Sequence, residues 1–340
     1  MKIAFYTFGS HCDAGYFDVY QVLKEKGFDV TIISNYTIPP DYVIPKTIDV
    51  LFNTSNAFRP RIHANTKTFF LPHGLGHEVW EDVMNTDEVV FLAGKKPWVP
   101  PVEVNNWKIV GWAKSDALFH PRKEIVEKVN TLVSDLPFDK SVLIIPTLDA
   151  KELSDLDYVV EFLEREKINA FIPFRKDAQT YGLDSARKRY DKFQHVRIPD
   201  DIINLYYFTP HINMVVTMGW YSTVREFYIT KIPSMQIAEK LTMERLFGFW
   251  EAGCNITEKQ RRTWNIIKNR FTFTDESIGV AFKECKAWCY PITNFPKLFS
   301  DVWNNPSKYL QSEEVTKRFI EINDGKVIER IIKEIESRCQ

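Results

Sequence analysis

Glycine is scarce, with 13 in 340 residues. None falls into a G-x-G-x-x-G fingerprint or a G-x-x-x-x-G-K-[S/T] loop, so the two commonest sequence warrants for dinucleotide and ATP phosphates are missing. A G-x-S-x-G elbow, an H-E-x-x-H helix and paired C-x-x-C knuckles are equally absent, which removes the usual signatures of serine hydrolases, zinc proteases and zinc ribbons. The five cysteines (Cys12, Cys254, Cys285, Cys289 and Cys339) are odd in number and widely scattered. That excludes a disulfide-stapled scaffold and predicts reduced thiols in a cytoplasmic protein. Cys285 and Cys289, four apart, suit one helix face, and with no His or further Cys in sequence reach they are expected to pack rather than hold metal. No run approaches the ~20 apolar residues of a membrane span. Charge of one sign is lacking too: 44 Lys+Arg against 45 Asp+Glu give a net charge of -1. That offers no global field for gathering nucleic acid or anionic lipid, so any basic patch must be local.

Hydrophobic residues make up 44% of the chain and aromatic residues 14%, ample material for buried cores. Single cores stop growing near ~250–300 residues, so two domains are expected, 1–125 and 126–340. The run Ile3 to Phe8, too short for a signal h-region, reads as a first buried strand. A helix-like stretch follows from Tyr16 to Lys26, then apolar runs at Val30 to Ser34, Val50 to Asn53, Thr66 to Leu71, Val89 to Leu92 and Lys108 to Trp112. A second series opens at Ser141 to Pro146, with a helix from about Asp155 to Lys167. Further strands are expected at Ala170 to Phe174, His195 to Ile198, Met214 to Thr217 and Ser234 to Ile237. This alternation is the mark of parallel sheets covered by helices, an α/β fold with two doubly wound units. Val327, Ile328, Ile331, Ile332 and Ile335 give the last helix one apolar face. Ligands of such sheets bind outside the carboxyl ends of the strands, so the chemistry is sought there.

His73 follows the apolar strand Thr66 to Leu71 and precedes Gly74, which aims it at that cleft. An imidazole with a pKa near ~6.5 can take a proton from an acceptor hydroxyl; the alternative is a histidine bonded to a neighbouring loop. His77 and Glu78 can orient it or simply start a helix. The stretch Met214 to Phe227 reads as a strand, a tight turn at Gly219 with Trp220 and Tyr221, and a helix beginning near Ser222. A helix N-terminus suits a diphosphate, and Ser222 and Thr223 add hydroxyl donors. Glu226 can accept from a ribose, although Thr223-x-x-Glu226 is also a capping box, the favoured reading for that side chain. Arg175 and Lys176 could neutralise a leaving diphosphate. Between residues 259 and 270, Lys259, Arg261, Arg262, Lys268 and Arg270 interleave with Trp264, Ile266 and Ile267, a pattern for an anionic bilayer, for an ordinary surface helix, which is favoured, or third for a nucleic-acid groove.

Five segments, in order, resemble the CDP-glycerol glycerophosphotransferase (teichoic-acid polymerase) family, whose fold is GT-B. Pro72-His73-Gly74 is similar to its His-Gly motif, and Val110-Gly111-Trp112-Ala113-Lys114-Ser115-Asp116 to its Gly-Tyr-Pro-Arg-x-Asp segment. Leu143 to Thr147 resembles the strand opening its second domain, and Tyr221-Ser222-Thr223 stands where it has Asp-Tyr-Ser-Ser. Asn323-Asp324-Gly325-Lys326 with Glu329-Arg330-Ile331 resembles its last-helix Asp-Gly-x-x-x-x-Arg stretch. The resemblance implies two Rossmann-like domains facing a central cleft, with the C-terminal helix packing back on the N-terminal domain. It also implies a nucleotide-activated donor (CDP-glycerol or UDP-sugar) gripped through Ser222 and Thr223, and activation of a hydroxyl acceptor by His73. Neither a cofactor nor a metal is implied, and the location is cytoplasmic, peripheral to the inner membrane face.

The family's aspartate before the Tyr-Ser pair is replaced here by Trp220, and its His-Pro pair in the second domain by Pro173-Phe174-Arg175-Lys176. Three readings follow. The first is a metal-independent transferase for a glycosyl or glycerol-phosphate group. The last-helix stretch also resembles UDP-N-acetylglucosamine 2-epimerases of the same fold, which makes a UDP-sugar epimerase or hydrolase the second. A non-catalytic nucleotide-binding module on a degenerate scaffold is the third.

Overall fold

The computed structural model describes residues 1–7, 15–34, 42–54, 60–72, 74–75, 87–94, 106–146, 153–174, 183–199, 204–219, 223–237, 271–273 and 280–339. Its first sheet is built from β1 (Lys2–Thr7), β2 (Asp29–Ser34), β3 (Val50–Asn53), β4 (Lys67–Phe70), β5 (Val89–Leu92) and β6 (Trp107–Ile109). The strands are all parallel, in the order β2-β1-β3-β4-β5-β6. The second holds β7 (Ser141–Ile145), β8 (Asn169–Phe171), β9 (Val196–Arg197), β10 (Met214–Met218), β11 (Ser234–Ile237) and β14 (Trp288–Cys289). It too is parallel, in the order β14-β11-β10-β7-β8-β9. A small antiparallel pair, β12 (Phe271–Phe273) with β13 (Val280–Phe282), lies between β11 and β14 in the chain.

Register explains the first core. Phe5 pairs with Phe52, and Phe52 with Phe69, so their rings fall on one face of neighbouring strands. Phe91, two residues beyond the partner of Phe69, continues the row. Phe5 stacks on Phe52 at 4.6 Å and Phe69 on Phe91 at 5.9 Å. Over this row lie the helix Phe17–Glu25 and the terminal helix Val327–Cys339, which contributes Val327, Ile328, Ile331, Ile332 and Ile335. Each such buried aliphatic side chain contributes about 1.5–3 kcal/mol. The opposite face packs Ala4, Tyr6 and Leu51 against Ile44 and Ile48. In the second sheet both faces are covered: Val142, Ile144, Met214 and Val216 meet Val159, Leu163, Phe295 and Phe299, while Leu143, Ile145, Phe171 and Val215 meet Ile125, Val129 and Phe208. Strands buried on two sides carry continuous apolar runs, as β7 and β10 do. The helix Lys123–Val133, which spans the expected 125/126 division, thus packs against the second sheet through Ile125 and Val129.

The return of the chain to the first sheet is locked by glycines. Gly111 has φ +95, and a Cβ there would sit 2.5 Å from the carbonyl oxygen of Ile322. At Gly94 a Cβ would lie 2.9 Å from the carbonyl of Arg318, and beside it Glu321 N–H donates to Ala93 O at 2.9 Å. Asp116 then caps the terminal helix: Oδ1 accepts from Val327 N–H at 3.2 Å and Oδ2 from Ile328 N–H at 2.8 Å. Burial pushes the Asp116 carboxyl up, and those two N–H groups pull it back. Arg330 closes the clasp, donating to Val110 O at 2.8 Å and pairing with Asp324. The Gly111 to Asp116 and Asp324 to Arg330 motifs therefore fasten to each other.

Three expectations fail, the first because the strand expected over Ala170 to Phe174 ends at Phe171, before Pro173. The strand expected over Lys108 to Trp112 ends at Ile109, because Gly111 turns the chain into the 3-10 helix Ala113–Leu118. Cys285 and Cys289 share no helix: Cys289 lies in β14 and Cys285 in the irregular stretch before it. They do pack, with thiols against the carbonyls of Ala287 (3.2 Å) and Pro291 (3.5 Å), and burial pushes each up to about 12. Such thiols stay protonated and unreactive.

Candidate active-site cleft

The carboxyl edges of the two sheets meet, and both strands expected to feed the site end there. On the first sheet, β4 runs out through Leu71 and Pro72, whose carbonyls both accept from the Tyr16 hydroxyl, the Leu71 contact at 3.1 Å. Leu75 is buried with Ala93 and Trp112. The chain is thus anchored on each side of position 73. His73 itself, His77 and Glu78 lie outside the described residues.

On the second sheet, β10 delivers Gly219 with φ +77. Its N–H donates to Ile237 O at 2.9 Å and its carbonyl accepts from Gln236 Nε2 at 2.6 Å, so the carboxyl end of β10 is tied to β11. Trp220, Tyr221 and Ser222 lie outside the described residues. Thr223, half-buried, opens a helix of four residues, Thr223–Glu226, followed by the 3-10 turn Phe227–Ile229. The expected helix is no longer than this because Lys231, at φ +59, and Pro233 end it before β11. One turn presents N–H groups but sums few peptide dipoles, so the macrodipole argument weakens here.

Glu226 departs from the capping role. It is buried, with Oε2 accepting from Trp112 Nε1 at 3.2 Å and Oε1 3.6 Å from Lys114 Nζ. Burial pushes its carboxyl up; the Lys114 charge and the Trp112 N–H oppose that. Its backbone carbonyl accepts from the Tyr206 hydroxyl at 2.7 Å, and burial beside Glu226 holds that phenol well above its usual range. Arg225, also buried, pairs with Glu284 and lies 4.6 Å over the Phe319 ring, which ties the helix Thr223–Glu226 to the returning chain.

A second polar cluster joins the halves. Asp18 accepts from the Tyr207 hydroxyl at 2.7 Å and from Asn204 Nδ2 at 3.0 Å, with Arg122 Nε 3.5 Å away. Asn204 Nδ2 also donates to the Lys114 carbonyl at 2.9 Å. Sequence reasoning assigned no role to Lys114, Asp18 or Asn204. Lys114 stands in the Val110 to Asp116 stretch that carries the family resemblance, whereas Asp18 and Asn204 stand in no such stretch.

Arg175 and Lys176 lie outside the described residues, as does the basic segment 259–270. The chain leading to Arg175 ends in Phe174, stacked on Tyr190 at 6.0 Å. A cavity of about 460 Å³ lined by Asp135, Tyr190, Phe193 and Arg197 sits beside edge strand β9, and there the Arg197 guanidinium bonds to the carbonyls of Gln194, Val196 and Asp135. It is separate from the cleft. Among the described residues no group of three or more His, Cys, Asp or Glu is placed to hold a metal, and no helix is long and apolar enough to cross a membrane.

Two parallel six-stranded sheets, helices on their faces, carboxyl edges meeting and a terminal helix returned to the first sheet define the GT-B fold. No family model and no curated protein matches the sequence. Solved structures do. The wall teichoic acid polymerase TagF superposes with a TM-score of 0.60 at 12% identity, covering 99% of this chain and 89% of that one. A UDP-GlcNAc 2-epimerase from Neisseria meningitidis bound to UDP-GlcNAc gives 0.53 at 11%, covering 99% and 100%. S. aureus MnaA in complex with UDP gives 0.51 at 10%, covering 99% and 96%. At these identities the likeness is one of fold.

Proposed function

We propose that this chain is a GT-B transferase that moves a glycosyl or glycerol-phosphate group from a nucleotide-activated donor to a hydroxyl acceptor, in cell-surface glycan or polymer synthesis. The observation that carries the reading is the meeting of the two sheet edges. The exit of β4 toward His73 is pinned by Tyr16, and the Gly219 turn is pinned by Gln236. Trp112 and Lys114 bridge from the first half to Glu226 in the second. Two substrates held across such a seam react by proximity and orientation. In this reading His73 takes the acceptor proton and Glu78 orients it. Gly219 through Thr223 receive the diphosphate, aided by Arg175 and Lys176, with no metal or cofactor. Residues 1–125 form the acceptor side, residues 126–340 the donor side, and 259–270 the contact with the inner membrane face in the cytoplasm. Glu226, turned toward Lys114, supports the donor turn from beneath rather than binding ribose.

The test begins with thermal unfolding against CDP-glycerol, CDP, UDP, UDP-glucose and UDP-N-acetylglucosamine, since ligand at ~100 times its dissociation constant adds about 2.7 kcal/mol. With the donor class named, His73→Ala should lower turnover by roughly 10²–10⁴ and leave nucleotide affinity within a few-fold. Unchanged turnover removes the base assignment. A UDP-sugar 2-epimerase or hydrolase is the second reading, favoured by the full-length superposition on the UDP-GlcNAc-bound enzyme. Conversion of a UDP-sugar with no acceptor present would select it, and nucleotide binding without any turnover would select a non-catalytic module.

A further inference from the structure

The chain crosses between the halves at two places. The first is 119–122, between the 3-10 helix Ala113–Leu118 and the helix Lys123–Val133 that packs on the second sheet. The second comes just before the terminal helix, and the two touch: a Cβ on Gly325 would lie 2.7 Å from Phe119 Cβ and 3.1 Å from His120 Nε2. Around them the halves share one apolar cluster, with Leu75, Ala93 and Trp112 from the first and Tyr206, Phe208 and Phe227 from the second. Apolar contact holds two bodies together without setting the angle between them. Hydrogen bonds and ion pairs are directional and can set it. Trp112 and Lys114 meet the one carboxylate of Glu226, a single point of attachment. The second point is Asp18. Asp18 and Glu25 stand seven residues apart on the helix Phe17–Glu25, so both carboxylates lie on one face. Arg122, in the first crossing, is held between them: Nε is 3.5 Å from Asp18 Oδ1, while Nη1 and Nη2 donate to Glu25 at 2.6 and 3.3 Å. Asp18 also reaches the second half, where Oδ1 accepts from the Tyr207 hydroxyl at 2.7 Å and Oδ2 from Asn204 Nδ2 at 3.0 Å. The ring closes through the Arg122 N–H, which donates to the Tyr207 oxygen at 3.1 Å. Asp18 is buried, so water does not replace a partner that moves away.

We propose that Asp18 is the lock that fixes the angle between the two halves: one buried carboxylate ties the first-half helix to the crossing at Arg122 and to residues 204–207 of the second half, so the chain between the halves does not act as a free hinge. The apolar cluster keeps the halves together, and Asp18 decides how they are turned. The lock is independent of what the cleft binds and of the reaction carried out there. Its consequence for any ligand that spans the cleft is a site already assembled, with little ordering left to be done on binding. Asparagine at position 18 keeps the shape of the side chain but leaves one accepting oxygen where two are used, and it removes the charge that faces Arg122.

The angle is read as a distance distribution by double electron–electron resonance on the full, unliganded chain. One spin label is attached at Glu161, exposed on the helix Leu153–Arg165 of the second half, and the other at Glu329, exposed on the terminal helix that covers the first sheet. The otherwise wild-type chain should give one narrow distribution. Asp18→Asn should broaden it or add a second distance, with the chain still folded because the apolar cluster is intact. Tyr207→Phe removes one of the donors to Asp18 and should broaden it less; that variant decides the matter if Asp18→Asn does not fold. A second pair of labels, at Glu161 and at the exposed Lys128 on the helix Lys123–Val133, lies within the second half and should stay narrow in every variant. A broad or double distribution between the halves with Asp18 in place overturns the lock, because the halves then turn while its contacts are available. Distributions as narrow as wild type in both Asp18→Asn and Tyr207→Phe also overturn it and leave the angle to Glu226 and the apolar cluster. Equal broadening of the second pair overturns it too, since Asp18 would then stabilise one half and not the angle between two.

Discussion

Lys114 and Asp116 are two residues apart on one 3-10 helix and face different tasks. Asp116 turns to the terminal helix and spends both carboxylate oxygens on backbone N–H groups that nothing else caps at that site. Lys114 turns to Glu226 in the second half, its ammonium 3.6 Å from Oε1. The first contact is directional and made to the backbone; the second is an ion pair between two side chains. A single short helix therefore carries one residue that fastens the terminal helix and one that joins the two halves.

The contrast can be broken most forcefully at Gly111, which feeds this helix. Gly111→Ala places a Cβ at positive φ and 2.5 Å from the Ile322 carbonyl, and should destabilise the chain by roughly 3 kcal/mol or more in a urea titration. A loss under about 1 kcal/mol would mean the returning chain shifts easily and is not locked. Next, Asp116→Ala uncaps the terminal helix and leaves two buried N–H groups unpaired, for about 2 kcal/mol. Measured on folded protein, its nucleotide affinity should stay that of wild type; an affinity that fell with stability would erase the distinction between the two residues.

The smallest effect is expected at Asp324, about half exposed, whose pair with Arg330 holds its carboxyl down to about 2 from 3.8. Its folded-state value is depressed, so the stability it adds is present above pH 3.8 and is lost as pH falls toward about 2. Solvent screening keeps the contribution within ~1 kcal/mol. Asp324→Asn should remove that part of the acid limb and leave stability near neutral pH only slightly lower. An unchanged acid limb would show that the Arg330 clasp works through Val110 alone.

Much of this was legible in the sequence because it is local. The apolar runs at Val50 to Asn53, Val89 to Leu92 and Ser234 to Ile237 are strands with those bounds, and the isoleucine stripe of the last helix is buried as its spacing predicts. Both sheets being parallel followed from strands alternating with helices, which leave no room for hairpins. What sequence could not supply is pairing over distance. Trp112 and Glu226 are 114 residues apart, and Asp18 and Tyr207 are 189 apart; neither pair leaves a periodic trace. Local rules misled in two places. Thr223-x-x-Glu226 has the spacing of a capping box, yet tertiary contacts with Trp112 and Lys114 claim the carboxylate. Cys285 and Cys289 have helical spacing, but the two-residue strand Trp288–Cys289 exists only through its pairing with Gln236 and Ile237. The carboxyl ends of β4 and β10, next to His73 and to Gly219, follow from the strand pattern, the one part of the cleft that topology alone dictates.

The terminal helix on the first sheet also sets the order in which the molecule can be made. The row Phe5, Phe52, Phe69 and Phe91 leaves the ribosome well before the isoleucines that cover it. At usual elongation rates the interval between β6 and Val327 is on the order of ten to forty seconds. Throughout that time the second sheet, whose strands and covering helices run from Lys123 to Asn304, can close its own core on the emerging chain. The first sheet is therefore made before the second and completed after it, and its aromatic face is where a chaperone would find the nascent protein.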